Sequence, residues 1–205
     1  MPIRLNSTGG GAVTITAPYT ASTYTLTAPG ETGNLITTGT TSRIIPTAAM
    51  PAGSIVQVVT GTTNTPVSGS GNTFVDTTLS AAITPTSATS KIYVMVSQQC
   101  AYTTSGAAYT GGGIRLLRGS TVILTPINDG SGPFDTWHRI DGGSYAGTWI
   151  RSCINYVDSP ATTSSTTYKT QIAGYYTGYN YYCQTGTATP ATYSTSTITL
   201  MEIAV

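Results

Sequence analysis

No window of 11 residues in this chain holds a helical period free of glycine, proline or a threonine cluster. Gly and Pro end regular structure, while Thr is stiff at its first side-chain torsion and suits a pleated strand better than a helix. A chain punctuated this way can bury apolar surface only through short strands. From Ala52 onward, turn residues recur about every 8–12 residues, the spacing of an all-β sandwich or barrel. Ile55-Val56-Gln57-Val58-Val59 and Ile92-Tyr93-Val94-Met95-Val96 are near-continuous apolar runs, as expected of strands in the middle of a sandwich. Ile114 to Arg118 and Thr121 to Leu124 flank Gly119-Ser120, a two-residue hairpin loop with glycine first. Trp149 to Val157, Tyr168 to Ala173 and Thr197 to Ile203 complete the set, and Pro160 to Thr167 reads as a solvated loop between two of them. The fold expected is all-β: an antiparallel β-sandwich, jelly-roll-like, with an extended N-terminal β arm.

The arm is set apart by a short repeat. Thr14-Ile15-Thr16-Ala17-Pro18 returns as Thr25-Leu26-Thr27-Ala28-Pro29, each copy alternating apolar and hydroxyl side chains before a proline that cannot donate to a ladder. Strands this brief are not stable alone. Identical segments from other subunits would supply the missing partners, so a homotrimer with cyclic symmetry is expected. Thr37 to Pro51 reads as a connector, and residues 1–48 are assigned to an attachment or trimerisation arm, residues 49–205 to the C-terminal β-sandwich domain.

Function is constrained by how little charge there is. Only 15 residues of 205 are charged, 8 Lys or Arg and 7 Asp or Glu, while Thr supplies 43. The surface must therefore be made of hydroxyls, backbone and aromatic rings. With a net charge of +1 and no basic run, phosphate neutralisation has no basis, and nucleic acid is not an expected partner. The N-terminus has no apolar segment of the kind a signal peptide carries, and runs such as Ile92 to Val96 are too short to span a bilayer. Cys100, Cys153 and Cys183 are an odd set, which fits small core residues in a reduced compartment better than a disulfide framework, although one pair could meet in space.

Catalytic and metal constellations are weak. Asp135, His138 and Asp141 could be read as a metal site, or His138 as a general base, but they do not share one face of a strand. Their flanking glycines suggest an exposed loop. The acids are dispersed, which does not indicate the carboxyl pair of a glycosidase. His138 lacks a nucleophile-elbow partner, and Gly106 to Gly113 lacks the Lys-Ser/Thr of a phosphate loop and reads as a flexible turn. No enzyme activity, cofactor or metal is expected. Tyrosine offers more: Tyr168, Tyr175, Tyr176, Tyr179, Tyr181 and Tyr182 crowd into 15 residues with Gly174, Gly178 and Asn180. Rings with polar tips suit contact surfaces. Tyr175, Tyr176, Tyr179, Tyr181 and Tyr182 are therefore the candidate binding residues, with filling of the sandwich core or of the subunit seam as the other reading.

The opening segment Leu5 to Ile15, with Tyr24 to Pro29 and Gly33 to Gly39, resembles the strand-and-turn modules of tailed-bacteriophage fibres. The remainder resembles a C-terminal β-domain of fibre-like proteins from phages of aquatic bacteria, through Gly53 to Val59, Ile83 to Ile92, Leu116 to Thr121, Asp158 to Thr163 and Ile198 to Ile203. The resemblance implies a non-enzymatic virion structural protein, assembled in the host cytoplasm and placed on the virion surface. It would be a trimeric fibre or adhesin that joins other virion proteins through the arm and contacts a host surface glycan or protein. A capsid head decoration protein, stabilising the particle without host binding, is the alternative. Only about 45 residues precede the β-domain, fewer than the attachment region such fibres often carry, which leaves tail and head both open as locations.

Overall fold

The computed structural model describes residues 3–6, 12–15, 50–103, 109–125, 137–141, 148–175, 177–184 and 194–205, with backbone alone for 3–6, 12–15 and a few strand-end positions. The chain divides into two units, Met1–Ile44 and Ile45–Val205. In the first, β1 (Ile3–Asn6) and β2 (Ala12–Ile15) form an antiparallel ladder with Ile3 opposite Ile15. Thr14 and Ile15 of the first copy of the repeat thus pair with β1 of the same chain, and the rest of that copy, Thr16 to Pro18, lies outside the described residues. The second copy, Thr25 to Pro29, lies outside the described residues.

The second unit is all-β, with no helix among the described residues. Its strands are β3 (Ile55–Thr63), β4 (Val67–Ser70), β5 (Val75–Ile83), β6 (Lys91–Thr103), β7 (Tyr109–Arg118), β8 (Thr121–Leu124), β9 (Trp137–Asp141), β10 (Thr148–Asp158), β11 (Thr166–Gly174), β12 (Asn180–Cys183) and β13 (Ser196–Ile203). They form two antiparallel sheets. The larger is built on the long β6, which pairs with β10 along one edge and with β13 and then β12 along the other; β3 extends β13 and β4 extends β12. The smaller runs β5-β11-β7, with β8 and β9 sharing the far edge of β7.

Setting the short β4, β9 and β12 aside exposes the winding. Of the remaining eight strands the first pairs with the last (β3–β13), the second with the seventh (β5–β11), the third with the sixth (β6–β10) and the fourth with the fifth (β7–β8). Successive pairs fall alternately in the two sheets. That is one long antiparallel ribbon rolled about a core, closed by β13–β6 and β11–β7: a jelly-roll sandwich.

Alternation places the core. Ile92, Val94 and Val96 of β6, Ile198 and Leu200 of β13, and Ile154 of β10 meet Leu79 and Ile83 of β5, Ile114 and Leu116 of β7, and Tyr168 and Ile172 of β11. The Gly119-Ser120 loop joins β7 to β8 as expected, Arg118 standing opposite Thr121. Gly119 has φ +59° while Ser120 stays negative, the pattern of a type II′ turn that calls for glycine first.

Three readings of the sequence are corrected. Gly111 to Gly113 belong to β7, not to a flexible turn: a Cβ at Gly112 would overlap the Tyr102 ring, so the glycine is there to let an aromatic side chain lie on the strand. Trp137 to Asp141 form strand β9 on β7, not an exposed loop. β3 lies at the edge of its sheet rather than in the middle, with Ile55 and Val58 exposed.

Candidate functional site

Of the candidate tyrosines, Tyr175, Tyr179 and Tyr181 are buried, Tyr182 is half-buried, and Tyr176 lies outside the described residues. Tyr175 and Tyr179 meet edge to face, with ring centroids 6.3 Å apart, and Phe74 packs against them. Tyr181 points into the main core, and its hydroxyl occupies the space beside Gly69. Tyr168, from the same cluster, is fully buried and donates to Asp158 Oδ2 at 2.7 Å. Burial and the neighbouring carboxylate push its phenol far above the ordinary value. Any contact made by the side chains of this segment's described residues therefore falls mainly to Tyr182.

Tyr182 opens onto the outer face of the larger sheet, where the strand register builds two rows. Near one end Val58 stands opposite Met201, Met201 opposite Tyr93, and Tyr93 opposite Val157, an apolar row across four strands. Val58 is 54% exposed, Val157 50%, and Met95 on the next row 40%. Near the other end Tyr182 stands opposite Ala101, and Ala101 opposite Trp149. Trp149 is 64% exposed, yet Ala101 between the two aromatic residues has no exposed surface. Thr60, Thr199, Thr62 and Thr197 lie between the rows, and the charges at outward positions are Lys91 and Arg151. Arg151 reaches sideways to Ser97 Oγ at 3.2 Å and Ser194 Oγ at 3.1 Å, so its charge is spent on the strand edge. Among the described residues, the exposed side chains of this face are mainly apolar, aromatic or hydroxyl.

This face was only half legible in the sequence. The near-continuous runs Ile55 to Val59 and Ile92 to Val96 announce apolar residues on both sides of a strand, and burial within one domain is the ordinary reason. In this fold the inward positions of each run turn to the sandwich interior, and the outward ones supply Val58, Tyr93 and Met95 to the outer face.

Several polar side chains inside the sandwich are matched to one another, though the buried Tyr102 hydroxyl finds no hydrogen-bond partner among the described residues. Thr77 Oγ1 lies 2.6 Å from Thr170 Oγ1, Thr170 Oγ1 donates to Gln98 Oε1 at 2.7 Å, and Gln98 Nε2 reaches Cys183 Sγ at 3.3 Å, a chain from one sheet to the other. Arg118 Nη1 lies 2.9 Å from both oxygens of Asp158, joining β7 to the end of β10. Glu202, fully buried, accepts from Thr86 N and Oγ1 at 2.7 Å and from Gln57 Nε2 at 2.6 Å. Burial alone would raise its carboxyl, but donors from Gln57, Ser90 and Thr86 hold it below the ordinary glutamate range. These are structural pairings, each acceptor met by at least one protein donor.

Of the candidate metal set, the structure describes the side chain of His138 alone. Asp135 lies outside the described residues, Asp141 ends β9, and half-buried His138 faces inward, its Nε2 3.0 Å from Ser152 Oγ. Burial lowers the imidazole below its ordinary value. Among the described residues no group of three His, Cys, Asp or Glu side chains is placed to hold a metal ion.

No protein-family model matches the chain, and no curated protein matches it. Among solved structures it is similar to infectious bursal disease virus of the Gx strain, at 15% identity and a TM-score of 0.33, over 74% of this chain and 39% of that one. The VP2 subviral particle of the same virus gives 13% and 0.32, covering 74% and 38%. The Gt strain gives 16% and 0.31, covering 73% and 37%. The chain spans less than two fifths of the length of these neighbours, and similarity at this level assigns neither fold nor role.

Proposed function

We propose that this chain is a non-enzymatic structural subunit of a virus particle, assembling as a homotrimer and serving as a fibre-like attachment protein of a tailed bacteriophage. The observation that carries the reading is the outer face of the β6 sheet: an apolar row and an aromatic row with little charge, built into a rigid jelly roll. Exposed apolar positions are stabilised when another molecule covers them, and subunit association is the ordinary way. Jelly rolls serve as capsid and lectin domains, so the fold accommodates the reading. The sequence resemblance to phage fibres supports the same assignment. Within it, the arm joins the other virion proteins, the apolar row is the subunit contact, and the Tyr182–Trp149 end is left for a host glycan, which aromatic rings stack upon and hydroxyls bond.

Sedimentation velocity of the purified full chain at micromolar concentration is expected to show three copies. A clean monomer removes the subunit role of the face. Imaging of particles carrying a tag on this chain is expected to mark the tail. A label distributed over the capsid replaces the fibre with a head decoration protein.

A further inference from the structure

Cys100 on β6 and Cys183 on β12 stand directly opposite each other in the ladder. The amide of Gln184 donates to the Gln99 carbonyl at 3.2 Å, while the Gln99 amide turns to Ser196 Oγ at 3.0 Å; the bonding position thus falls at 184 and 99, and the cysteines take the adjacent non-hydrogen-bonded one. In such a pair the Cα atoms lie about 4.5 Å apart and the side chains approach closely. A disulfide spans Cα separations of roughly 4.4–6.8 Å. Both side chains face inward, both are fully buried, and both are free thiols in this structure. Cys153 lies on the opposite face, on the outer side of β10.

We propose that Cys100 and Cys183 form a cross-strand disulfide that staples β12 to β6 and leaves Cys153 as the free thiol. The staple has a mechanical purpose. β12 is four residues long, pairs with β6 over four positions and carries β4 on its other edge. That two-strand patch is the shortest attachment in the larger sheet, and one covalent bond fixes it to the longest strand. Gln98 Nε2, which now donates to Cys183 Sγ, keeps its acceptor, because a disulfide sulfur retains its lone pairs.

The chemistry is exchange with a small-molecule disulfide such as oxidised glutathione, before β12 docks, since both sulfurs are closed to solvent in the fold. Undocked, neither thiol feels the other or the core, so either can start the exchange, here Cys100. Its thiolate attacks one sulfur of the glutathione disulfide, expelling one glutathione thiolate and leaving a mixed disulfide. Cys183, deprotonated, then attacks the Cys100 sulfur, forming the protein disulfide and expelling the second glutathione. Two protein thiols are oxidised, one glutathione disulfide is reduced to two thiols, and the two protons pass to them.

The test is to refold the full chain from denaturant in a mixture of reduced and oxidised glutathione, then to alkylate remaining thiols under denaturing conditions and measure the intact mass. One alkyl group is expected, with a proteolytic peptide pair joined through Cys100 and Cys183. The oxidised protein should melt about 5–15 °C above the reduced one. Three alkyl groups, or a linkage through Cys153, overturn the proposal. The Cys153→Ser chain, altered at an exposed position, should show the same linked peptides and take up no alkyl group. Alkylation of both remaining cysteines in that variant overturns the proposal as well.

Discussion

The two sheets of the jelly roll turn very different surfaces outward. On the smaller sheet Lys169 Nζ lies 2.6 Å from Asp76 Oδ2, Gln171 Nε2 donates to Asp76 Oδ1 at 2.6 Å, and Arg115 Nε donates to Gln171 Oε1 at 2.7 Å. The Arg115 guanidinium also sits 4.3 Å above the Phe74 ring. The larger sheet shows Val58, Met201, Tyr93 and Val157 in one row and Tyr182 and Trp149 in another. A chain with 15 charged residues cannot dress every surface with ions. It places a paired network on one face and leaves apolar and aromatic side chains on the other, the division expected when one face meets water and the other meets a partner.

The strongest test of that division compares neighbours on one strand. Leu200 points into the core and Met201 onto the outer face. Leu200→Ala should cost about 2–5 kcal/mol, as other large-to-small core changes do. Met201→Ala should cost less than about 1 kcal/mol in the isolated subunit. Equal losses in thermal melts would mean that the outer row is already covered within the chain. Next comes association. Val58→Lys with Val157→Lys should weaken assembly by about 2–4 kcal/mol, the scale of interface hot spots, while the melting temperature of the subunit moves little. The same sedimentation profile for parent and variant would place the subunit contact elsewhere.

Strands β3, β6, β7, β8, β10, β11 and β13, the glycine-first hairpin and the sandwich class were legible because they are local, specified by alternation and turn residues within a few positions, whereas β4, β5, β9 and β12 were not read as strands. Which strand lies at an edge is not local. Ile55 to Val59 carries the composition of a central strand, and only the pairing among the described residues, β3 with β13 alone, shows it at an edge. Glycine misled for a similar reason. Gly111 to Gly113 look like a turn until Tyr102, distant in sequence, is found against Gly112. The tyrosine cluster was visible as a cluster, but its division into buried Tyr181 and half-exposed Tyr182 follows from the register of a four-residue strand. The Asp158 junction with Arg118 and Tyr168 joins three strands and leaves no mark in spacing.

Acid should act first on the inside of the larger sheet. Glu202 is held below the ordinary glutamate value in the fold, so its contribution is complete above about pH 4.3 and fades as pH falls through the lower folded value. Three hydrogen bonds to its carboxylate are at stake. Glu202→Gln should therefore cost about 1–3 kcal/mol at neutral pH, the scale of bonds to a charged group, and should flatten the acid limb of a stability profile measured by denaturant titration. An unchanged acid limb would assign it to other carboxylates.

The smallest effect is expected on the charged face. Asp76 is also held below its ordinary value, by hydrogen bonds from Lys169 and Gln171. The sign is the same as for Glu202: stabilising above about pH 3.9 and lost as pH falls below it. The magnitude differs because the Asp76 side chain is 52% exposed, and water screens an ion pair there. Holding a lysine in one geometry also costs side-chain entropy, so exposed pairs contribute about 0–1 kcal/mol. Asp76→Asn should change stability by no more than about 0.5 kcal/mol at physiological salt, less still in high salt, and should leave the sedimentation profile as it was. A shift in subunit association from this substitution would mean that the smaller sheet, not the larger, faces the partner.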